Sequence, residues 1–287
     1  MISGIHILLT YTCSSECDHC FLYCSPRSEG TFTIESLMKL IDQAREIESI
    51  ETICFEGGEP LLYLPQLLSG IEYAKAAGFA TGIVTNAYIA RSDADAEQLL
   101  SMLIDAGLDS ITVSDDELHF GSREYTPSRY LAEAAARKSR EVSTIRVETP
   151  SCDHPTGSIK FRGRAADRLT AGVPRLPWQC FDECLSENLR DPGRVHVDCF
   201  GNVLFCQGIS MGNALETPLA DIFESWDPEV HPVCGPLLAG GPAALASYYG
   251  LCDGGTYVDE CHLCFEVRRR LLGRIPEYLV PMQVYGR

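Results

Sequence analysis

Three cysteines near the start of the chain, Cys13, Cys17 and Cys20, have the spacing C-x3-C-x2-C. They directly follow an apolar stretch at residues 5–9 that is typical of a β-strand. The unequal gaps differ from the paired C-x2-C arms of a common structural zinc site. Three thiolates can hold three irons of a [4Fe–4S] cluster, in which full ligation by protein takes four cysteines. The fourth iron would then be open to a ligand that is not protein, which is the mark of a catalytic metal site.

Composition restricts the class of protein. The chain has 287 residues, of which 45% are hydrophobic, enough for one large domain or for a domain with a smaller module. Its formal net charge of −17 argues against non-specific binding of nucleic acid, which requires Lys and Arg to neutralise phosphates. The sequence shows neither a run of about 18 apolar residues nor a basic segment followed by a cleavage site. We therefore expect a cytoplasmic protein that binds neither nucleic acid nor membrane.

Fourteen cysteines in such a chain point to metal or redox chemistry. The cytosol keeps thiols reduced, so disulfides explain this number poorly. Eight of the fourteen lie in the second part of the chain, where helical periodicity weakens and Gly and Pro become frequent. A segment with little continuous apolar sequence and so many thiols is expected to fold around metal. The eight are Cys180, Cys184, Cys199, Cys206, Cys234, Cys252, Cys261 and Cys264.

Strand-like and helix-like segments alternate up to about Ala165. Such alternation predicts parallel strands joined by right-handed crossovers. We therefore predict an α/β fold. Because five or six units are too few for a closed eight-stranded barrel, we expect a partial (β/α)6 TIM-like barrel at residues 1–165. A small cysteine-rich α+β metal-binding domain is expected to follow at residues 166–287. The predicted strands are residues 5–9, 52–55, 80–85, 110–114, 144–148 and 158–161, and the predicted helices are 34–47, 66–77, 94–106 and 127–140.

Two motifs resemble those of radical S-adenosylmethionine enzymes. The segment TCSSECDHC resembles the cluster loop of that family, and FEGGEP at residues 55–60 resembles its GGE motif on the next strand. The resemblance implies that Cys13, Cys17 and Cys20 bind a [4Fe–4S] cluster whose open iron is chelated by S-adenosylmethionine. It also implies that the GGE backbone contacts the methionyl amine, since glycines allow a close approach of the main chain.

The same resemblance implies further contacts with the cofactor. IVTNAY, at the end of the third strand, is similar to a family segment near the cofactor, and His19 occupies a position where the family often packs a ring near the adenine. Ser114, at the end of the fourth strand, is another candidate. A polar strand-end turn is the alternative explanation of Thr85 and Asn86. The predicted cofactor-binding residues are His19, Gly57, Gly58, Glu59, Pro60, Thr85, Asn86 and Ser114.

The second part of the chain resembles the SPASM or twitch extensions of some members of this family. KFRGRA at residues 160–165 is similar to the segment that ends the barrel, and Gly201, Cys206 and the pair Gly212-Asn213 follow a similar G-x4-C and GN layout. Such extensions bind one or two auxiliary iron–sulfur clusters. The resemblance implies one cluster on Cys184, Cys206, Cys261 and Cys264, and a second could use Cys180, Cys199, Cys234 and Cys252.

Zinc is the alternative metal at both places. Cys24 could join Cys13, Cys17 and Cys20 around zinc, but zinc would not explain FEGGEP on the next strand. Cys24 is otherwise a free thiol beside the loop. A site of four cysteines in the second part of the chain suits zinc as well as iron.

The segment SDDELHF at residues 114–120 is the candidate substrate side of the site. Asp115, Asp116 and His119 follow a strand end, so they could face the cavity as catalytic residues that bind a substrate amine or move a proton. The alternative is an acidic loop that caps the next helix or is solvated. The corresponding candidates after the fifth strand are Cys152 and His154.

The resemblance implies an enzyme that cleaves S-adenosylmethionine by adding one electron. The products would be methionine and a 5′-deoxyadenosyl radical, which abstracts hydrogen from a peptide side chain or a small metabolite. A flavodoxin or a ferredoxin would supply the electron, and an auxiliary cluster would take up an electron, ligate the substrate or relay electrons. The alternative is an iron–sulfur electron carrier or metal-binding scaffold, in which protein ligates every iron.

Overall fold

The computed structural model describes residues 1–149, 157–252 and 254–287. Its first half contains five strands, and each pairs in parallel with the next along the chain. This mixed α/β architecture with a parallel sheet confirms the predicted fold class. The strands are β1 (Gly4–Thr10), β2 (Thr52–Gly57), β3 (Ala80–Thr85), β4 (Ser110–Ser114) and β5 (Val142–Ile145). The helices between them are α1 (Ile34–Arg45), α2 (Leu64–Ala76), α3 (Asp93–Asp105), α4 (Glu117–Phe120) and α5 (Pro127–Arg137).

Polar side chains determine where several of these helices begin. Thr33, Ser92 and Thr126 are the N-caps of α1, α3 and α5, and each hydroxyl accepts a hydrogen bond from the backbone N–H three residues later. Pro127 stands in the first turn of α5, where its missing N–H costs no hydrogen bond. The predicted start of this helix is therefore confirmed.

The structure differs from the prediction near the end of the barrel. The fifth strand begins and ends earlier than predicted, and residues 158–161, predicted as a sixth strand, form no strand in the structure. Ile159 and Phe161 are nonetheless buried in a small core with Val258. The apolar alternation of this segment therefore reflects its packing against the C-terminal part rather than pairing with β5.

The sheet continues beyond β1 into the second half of the chain. There β7 (Arg194–Asp198) pairs in parallel with β1, and β8 (Asn202–Cys206) and β9 (Ile209–Asn213) follow as antiparallel neighbours. The sheet is thus continuous across residue 165. A separate pair of short strands consists of β6 (Leu176–Pro177) and β10 (Thr256–Tyr257). The helices of this half are α6 (Arg164–Arg168), α7 (Leu219–Glu224), α8 (Cys234–Tyr248) and α9 (Glu260–Leu271).

The two faces of the sheet border different cores. Alternation along β1 places Ile5, Ile7 and Leu9 in the core beneath the barrel helices. Leu8 packs in a second core, which includes Cys206, Cys234 and Cys264. His6 lies on this inner face as well, where it lines a cavity. Among the described residues, none of the helices combines the length and the hydropathy that a membrane span requires.

Candidate metal and cofactor centre

A cavity of about 460 Å³ opens at the carboxyl ends of the parallel strands. The loop after β1 contributes Cys13, Cys17 and Cys20 to its lining. The ends of β2 to β4 contribute most of the predicted cofactor-binding residues. This is the end of a parallel α/β fold where catalytic groups collect. The predicted residues in the lining are His19, Gly57, Gly58, Thr85, Asn86 and Ser114.

A buried arginine fixes the cysteine loop. The guanidinium of Arg164 donates to the carbonyl oxygen of Cys17 at 2.6 Å and to that of Cys24 at 2.8 Å. Within the loop, the backbone N–H of Cys20 donates to the carbonyl oxygen of Cys17 at 3.1 Å. The start of α6 therefore holds the loop from outside the barrel strands. Arg164 belongs to the KFRGRA segment, but its contact with the cysteine loop was not predicted from the sequence.

The thiols of this loop lie in different electrostatic surroundings. Burial, as the largest cause, raises the pKa of Cys13 to about 11 and that of Cys17 to about 12. A hydrogen bond with the Cys24 thiol is the main reason why the pKa of Cys20 is lowered to about 6, while burial raises the pKa of Cys24. Coordination to a metal deprotonates such thiols outright. The loop therefore fits a metal centre chemically.

The described thiols do not form the tight group that a single zinc ion requires. Four thiolates at about 2.3 Å from a zinc ion stand within about 4 Å of one another. Among the described residues, two groups of three His, Cys, Asp or Glu side chains have all their ligand atoms within 4.8 Å of one another, and neither contains a cysteine. The zinc alternative with Cys24 as fourth ligand thus finds no support in this geometry.

The backbone of the GGE motif lies directly against the cysteine loop. The N–H of Gly58 donates to the carbonyl oxygen of Thr10 at 2.7 Å, and that of Glu59 donates to Thr12 at 3.0 Å. A Cβ at Gly58 would stand 2.1 Å from the Thr12 oxygen, and one at Gly57, where φ is +132°, would stand 2.4 Å from the Thr10 oxygen. The glycines are therefore needed for the contact between two main chains.

Glu59 joins the GGE motif to the end of β3. Its carboxylate accepts hydrogen bonds from the Thr85 hydroxyl at 2.6 Å and from the backbone N–H of Asn86 at 2.8 Å. It also caps the following turn by accepting from the N–H of Leu61 at 3.0 Å. The side-chain amide of Asn86 in turn donates to the hydroxyl of Ser14 at 3.0 Å. Three strand ends are thereby connected into one hydrogen-bonded wall of the cavity.

The protonation of Glu59 leads to a testable pH dependence. Burial is the largest cause that raises its pKa from 4.5 to about 7, against the opposing effect of its hydrogen bonds. Between these two pH values the folded protein binds a proton that the unfolded protein releases, so this group makes stability fall as pH rises. We predict that Glu59→Gln flattens this fall. Anaerobic thermal unfolding of both proteins between about pH 5 and about pH 8 measures it, and parallel profiles would contradict the assignment.

The two predicted catalytic carboxylates are engaged with protein groups. Asp116 is the N-cap of α4 and accepts from the N–H of Val147 at 3.2 Å. Asp115 accepts from the hydroxyl of Thr126 at 2.8 Å and pairs with Arg146 at 3.0 Å. The helix-cap alternative therefore accounts for Asp116, while Asp115 stabilises the start of α5.

His119 brings this segment to the cavity. Its Nδ1 lies 3.0 Å from both carboxylate oxygens of Asp116, and its ring contacts the ring of His19 edge-on, with centroids 4.5 Å apart. Burial, followed by the charge of His119, lowers the pKa of His19 to about 4. The ring of His19 is thus neutral near pH 7, which suits packing against an adenine. Cys152 and His154 lie outside the described residues.

The cysteines of the first predicted auxiliary set lie close enough together for the charge of one to affect the pKa of another. The pKa of Cys184 and that of Cys261 are each raised to about 12, with burial as the largest cause and the neighbouring charge of Cys206 as a smaller one. Cys264 is buried in the same group and contributes to the raised pKa of Cys184. Cys234 joins them, because its pKa is raised by burial and then by Cys206.

The other cysteines of the second predicted set lie elsewhere. Cys180 and Cys252 are exposed, and Cys252 lies 3.5 Å from the hydroxyl of Ser247. Cys199 faces Gly30, beside the barrel. Of the second set, the structure thus brings only Cys234 among the described residues into the buried cysteine group.

Arg162 connects the buried cysteine group with the cavity. Its guanidinium lies 3.1 Å from the sulfur of Cys206 and 3.6 Å from the carboxylate of Glu187, and it also lines the cavity. Burial alone would lower the pKa of Arg162, but the charges of Cys206 and Cys261 outweigh burial and raise it. A cationic side chain therefore lies between the two predicted metal centres.

The inner wall of the cavity carries a polar cluster that the sequence analysis missed. It consists of His6, Glu56 and His196, which lie on three neighbouring strands. Burial alone would raise the pKa of Glu56, but His196 and His6 outweigh it and hold this pKa well below the usual range. The available signals were a histidine within the apolar strand β1 and a glutamate directly before the GGE glycines.

Comparison with known families identifies the first half of the chain. A model of the Radical SAM superfamily matches residues 7–147, from β1 to just beyond β5. The matched residues are thus similar to the Radical SAM superfamily, and they contain the cysteine loop, the GGE motif and the end of β3. A tungsten-containing aldehyde ferredoxin oxidoreductase cofactor-modifying protein of Pyrococcus furiosus is 27% identical over 145 residues. The match covers 50% of this chain and 39% of that relative.

Two solved structures share the fold over most of the chain. BtrN in complex with AdoMet and 2-DOIA superposes with a TM-score of 0.55 and 20% identity, covering 88% of each chain. The structure of anSMEcpe with bound AdoMet has a TM-score of 0.50 and 14% identity, covering 96% of this chain and 97% of that one. At such identities the likeness establishes the fold, including that of the C-terminal half.

Proposed function

We propose that this protein is a radical S-adenosylmethionine enzyme. It cleaves S-adenosylmethionine reductively and uses the 5′-deoxyadenosyl radical to abstract hydrogen from a substrate. One observation carries the proposal: the cysteine loop, the GGE motif and the end of β3 form a single hydrogen-bonded wall around one cavity. These three segments lie within residues 7–147, which match the model of the Radical SAM superfamily.

The protein groups of this wall have distinct tasks. Cys13, Cys17 and Cys20 would hold the [4Fe–4S] cluster, which supplies one-electron chemistry when the cofactor is bound. Glu59 locks two strand ends together and so orients the GGE backbone toward the cofactor. Arg164 fixes the cysteine loop through two carbonyl oxygens. The preformed geometry removes part of the entropic cost of aligning the reacting groups.

We assign the substrate side of the cavity to His119. Asp116 holds its Nδ1 through a charge-assisted hydrogen bond, which orients the ring and favours a proton on that nitrogen. The opposite edge of the ring would then accept or donate a proton within the cavity. Asp116 acts in this account by positioning His119, and Asp115 by holding the start of α5.

A C-terminal auxiliary cluster is the second part of the proposal. Cys184, Cys206, Cys261 and Cys264 would bind it, within a SPASM- or twitch-like domain at residues 166–287. Their burial in one group supports this ligand set. Arg162 lies between this group and the cavity, so it would stabilise negative charge on the thiolates.

Replacement of two auxiliary ligands tests the second cluster. Cys261→Ala with Cys264→Ala is expected to lower iron and sulfide per chain by about one cluster, and to reduce solubility, because metal binding there is coupled to folding. Iron and acid-labile sulfide analysis of the anaerobically purified protein measures the change. Cys252→Ala, at an exposed thiol, is the matched control and should keep the wild-type iron content. Unchanged iron in the double variant would contradict the ligand set.

The cavity is the proposed binding place of the substrate's reacting group. A volume of about 460 Å³ must hold both the cofactor and the part of the substrate that loses hydrogen. We propose a small metabolite or one side chain of an extended peptide. The Pyrococcus furiosus relative is named as a cofactor-modifying protein, which is compatible with a small substrate. A flavodoxin or ferredoxin is the proposed electron donor, and the cytoplasm is the proposed location.

Electron paramagnetic resonance tests cofactor binding directly. In reduced, cluster-loaded protein, S-adenosylmethionine is expected to shift one cluster signal, because it ligates the open iron. The shift should be absent in Cys13→Ala. An electron carrier with fully protein-ligated clusters would instead show the same spectrum with and without S-adenosylmethionine.

A further inference from the structure

Three cavity-lining side chains that the proposed function does not use converge on one place. They are His6 on β1, Glu56 on β2 and His196 on β7. His6 and His196 stand directly opposite each other in the parallel pair of β1 and β7. On the other side, His6 stands opposite Cys54, and Glu56 follows two residues later on the same face of β2. The strand register thus brings the three side chains together across the sheet.

The distances within this triad match those between ligands of one metal ion. An oxygen of Glu56 lies 3.2 Å from Nδ1 of His6, and its other oxygen lies 3.1 Å from Nε2 of His196. One ligand atom of each residue lies within 4.8 Å of the other two. Nitrogen and oxygen ligands at about 2.0–2.2 Å from a metal stand about 3.0–3.5 Å apart at right or tetrahedral angles. An ion could therefore be bound without movement of the strands.

Buried polar atoms beside the triad point to a further ligand. His196 and Gln207 are 3% and 4% exposed. Nδ1 of His196 and Oε1 of Gln207 have no hydrogen-bond partner among the described residues. Gln207 lines the same cavity, and its amide lies 3.5 Å from Nε2 of His196. Because unpartnered buried polar groups are rare, a hydrated ion at this place would account for the Gln207 amide.

We infer that His6, Glu56 and His196 form a binding site for a divalent first-row transition metal ion, separate from the cysteine sites. Two imidazoles and one carboxylate are the donor set of mononuclear sites that keep open positions for water or substrate. Such nitrogen and oxygen donors take Fe²⁺, Mn²⁺ or Zn²⁺, whereas thiolates select softer ions and clusters. The side chains of His6 and Glu56 are 24% and 16% exposed, so the open positions face the cavity.

An ion at this site has a consequence for the substrate. Its open positions bind oxygen donors, such as a carboxylate, a hydroxyl pair or a phosphate, against the wall formed by β1, β2 and β7. This consequence rests on the proposed function, since it places the substrate in the same cavity as the cysteine loop. Metal binding itself does not depend on cleavage of S-adenosylmethionine.

Metal counting tests the site in the cluster-loaded chain. The protein is dialysed anaerobically against Zn²⁺ and then against buffer, and zinc, iron and sulfide are measured per chain. The quantity compared is the sum of zinc and of the iron that exceeds the measured sulfide. We expect this sum to be higher by one ion per chain in the wild type than in Glu56→Gln and His196→Gln. The control Glu51→Gln, at an exposed residue directly before β2, should keep the ion. Sulfide content equal to that of the wild type shows that each variant is folded and loaded.

A rival group in the same cavity needs its own variant. His19, Asp116 and His119 also bring three ligand atoms within 4.8 Å of one another. Equal metal content in wild type and Glu56→Gln would overturn the proposal, as would loss of the ion only in His119→Gln. If Glu56→Gln loses sulfide, His6→Gln replaces it, since that side chain is the most exposed of the three. Formation of 5′-deoxyadenosine, measured on the same samples, distinguishes failure of this site from failure of the proposed function.

Discussion

The triple variant Cys13→Ala, Cys17→Ala and Cys20→Ala is expected to form no detectable 5′-deoxyadenosine and to keep the iron of the C-terminal half. These three thiols line the cavity on one loop, whereas the predicted auxiliary cysteines lie in the second half of the chain and are not among the described residues that line this cavity. Loss of one thiolate set should therefore remove one cluster and leave the other. Iron and sulfide analysis, together with chromatography of the nucleoside products, measures both effects.

Two outcomes would contradict this separation. Complete loss of iron from the triple variant would mean that the two metal centres depend on each other for assembly. Cofactor cleavage that persists in the triple variant would show that another group holds the active cluster. Cys24→Ala is the matched control, because Cys24 is a buried thiol of the same loop outside the spaced motif. It should retain the cluster and most of the cleavage activity.

Gly58→Ala is expected to destabilise the protein by about 1–3 kcal/mol, as overpacking of a tight contact does. The added Cβ would stand 2.1 Å from the carbonyl oxygen of Thr12, so the GGE backbone must move away from the cysteine loop. A displacement of about 1 Å at a catalytic centre can lower the rate about 10²-fold. We therefore expect cofactor cleavage to fall by at least about 10²-fold. Thermal unfolding and the rate of 5′-deoxyadenosine formation measure the two effects.

The matched control for this substitution is Gly193→Ala. No heavy atom lies within 4 Å of the Cβ that it would add, so the change should leave stability and cleavage close to those of the wild type. Normal cofactor cleavage in Gly58→Ala would show that the close contact of the two main chains is not needed for the site.

Local periodicity accounts for most of what the sequence predicted correctly. The apolar stretch of β1 and the amphipathic pattern of α1 each depend on residues close together in the chain, and both elements form close to where they were predicted. The cap at Thr126 and Pro127 is equally local. The parallel order of the first five strands then follows from the crossover rule.

Contacts between distant segments could not be predicted from periodicity. His196 reaches the cavity because β7 pairs with β1, and this pairing joins segments about 190 residues apart. Glu59 resembled a residue of the cofactor motif, but its carboxylate is used to hold the end of β3. Asp116 followed a strand end as a catalytic acid would, yet it caps α4. In each case the side chain's partner decides its role, and that partner lies in another segment or depends on the local turn.

Product analysis of the wild-type protein tests the central claim most directly. Anaerobically reconstituted protein is reduced with dithionite and incubated with S-adenosylmethionine. We predict 5′-deoxyadenosine and methionine in equal amounts, formed only when reductant and the cluster are both present. If spectroscopy shows an intact, reduced cluster on Cys13, Cys17 and Cys20 and no 5′-deoxyadenosine appears, the protein is not a radical S-adenosylmethionine enzyme.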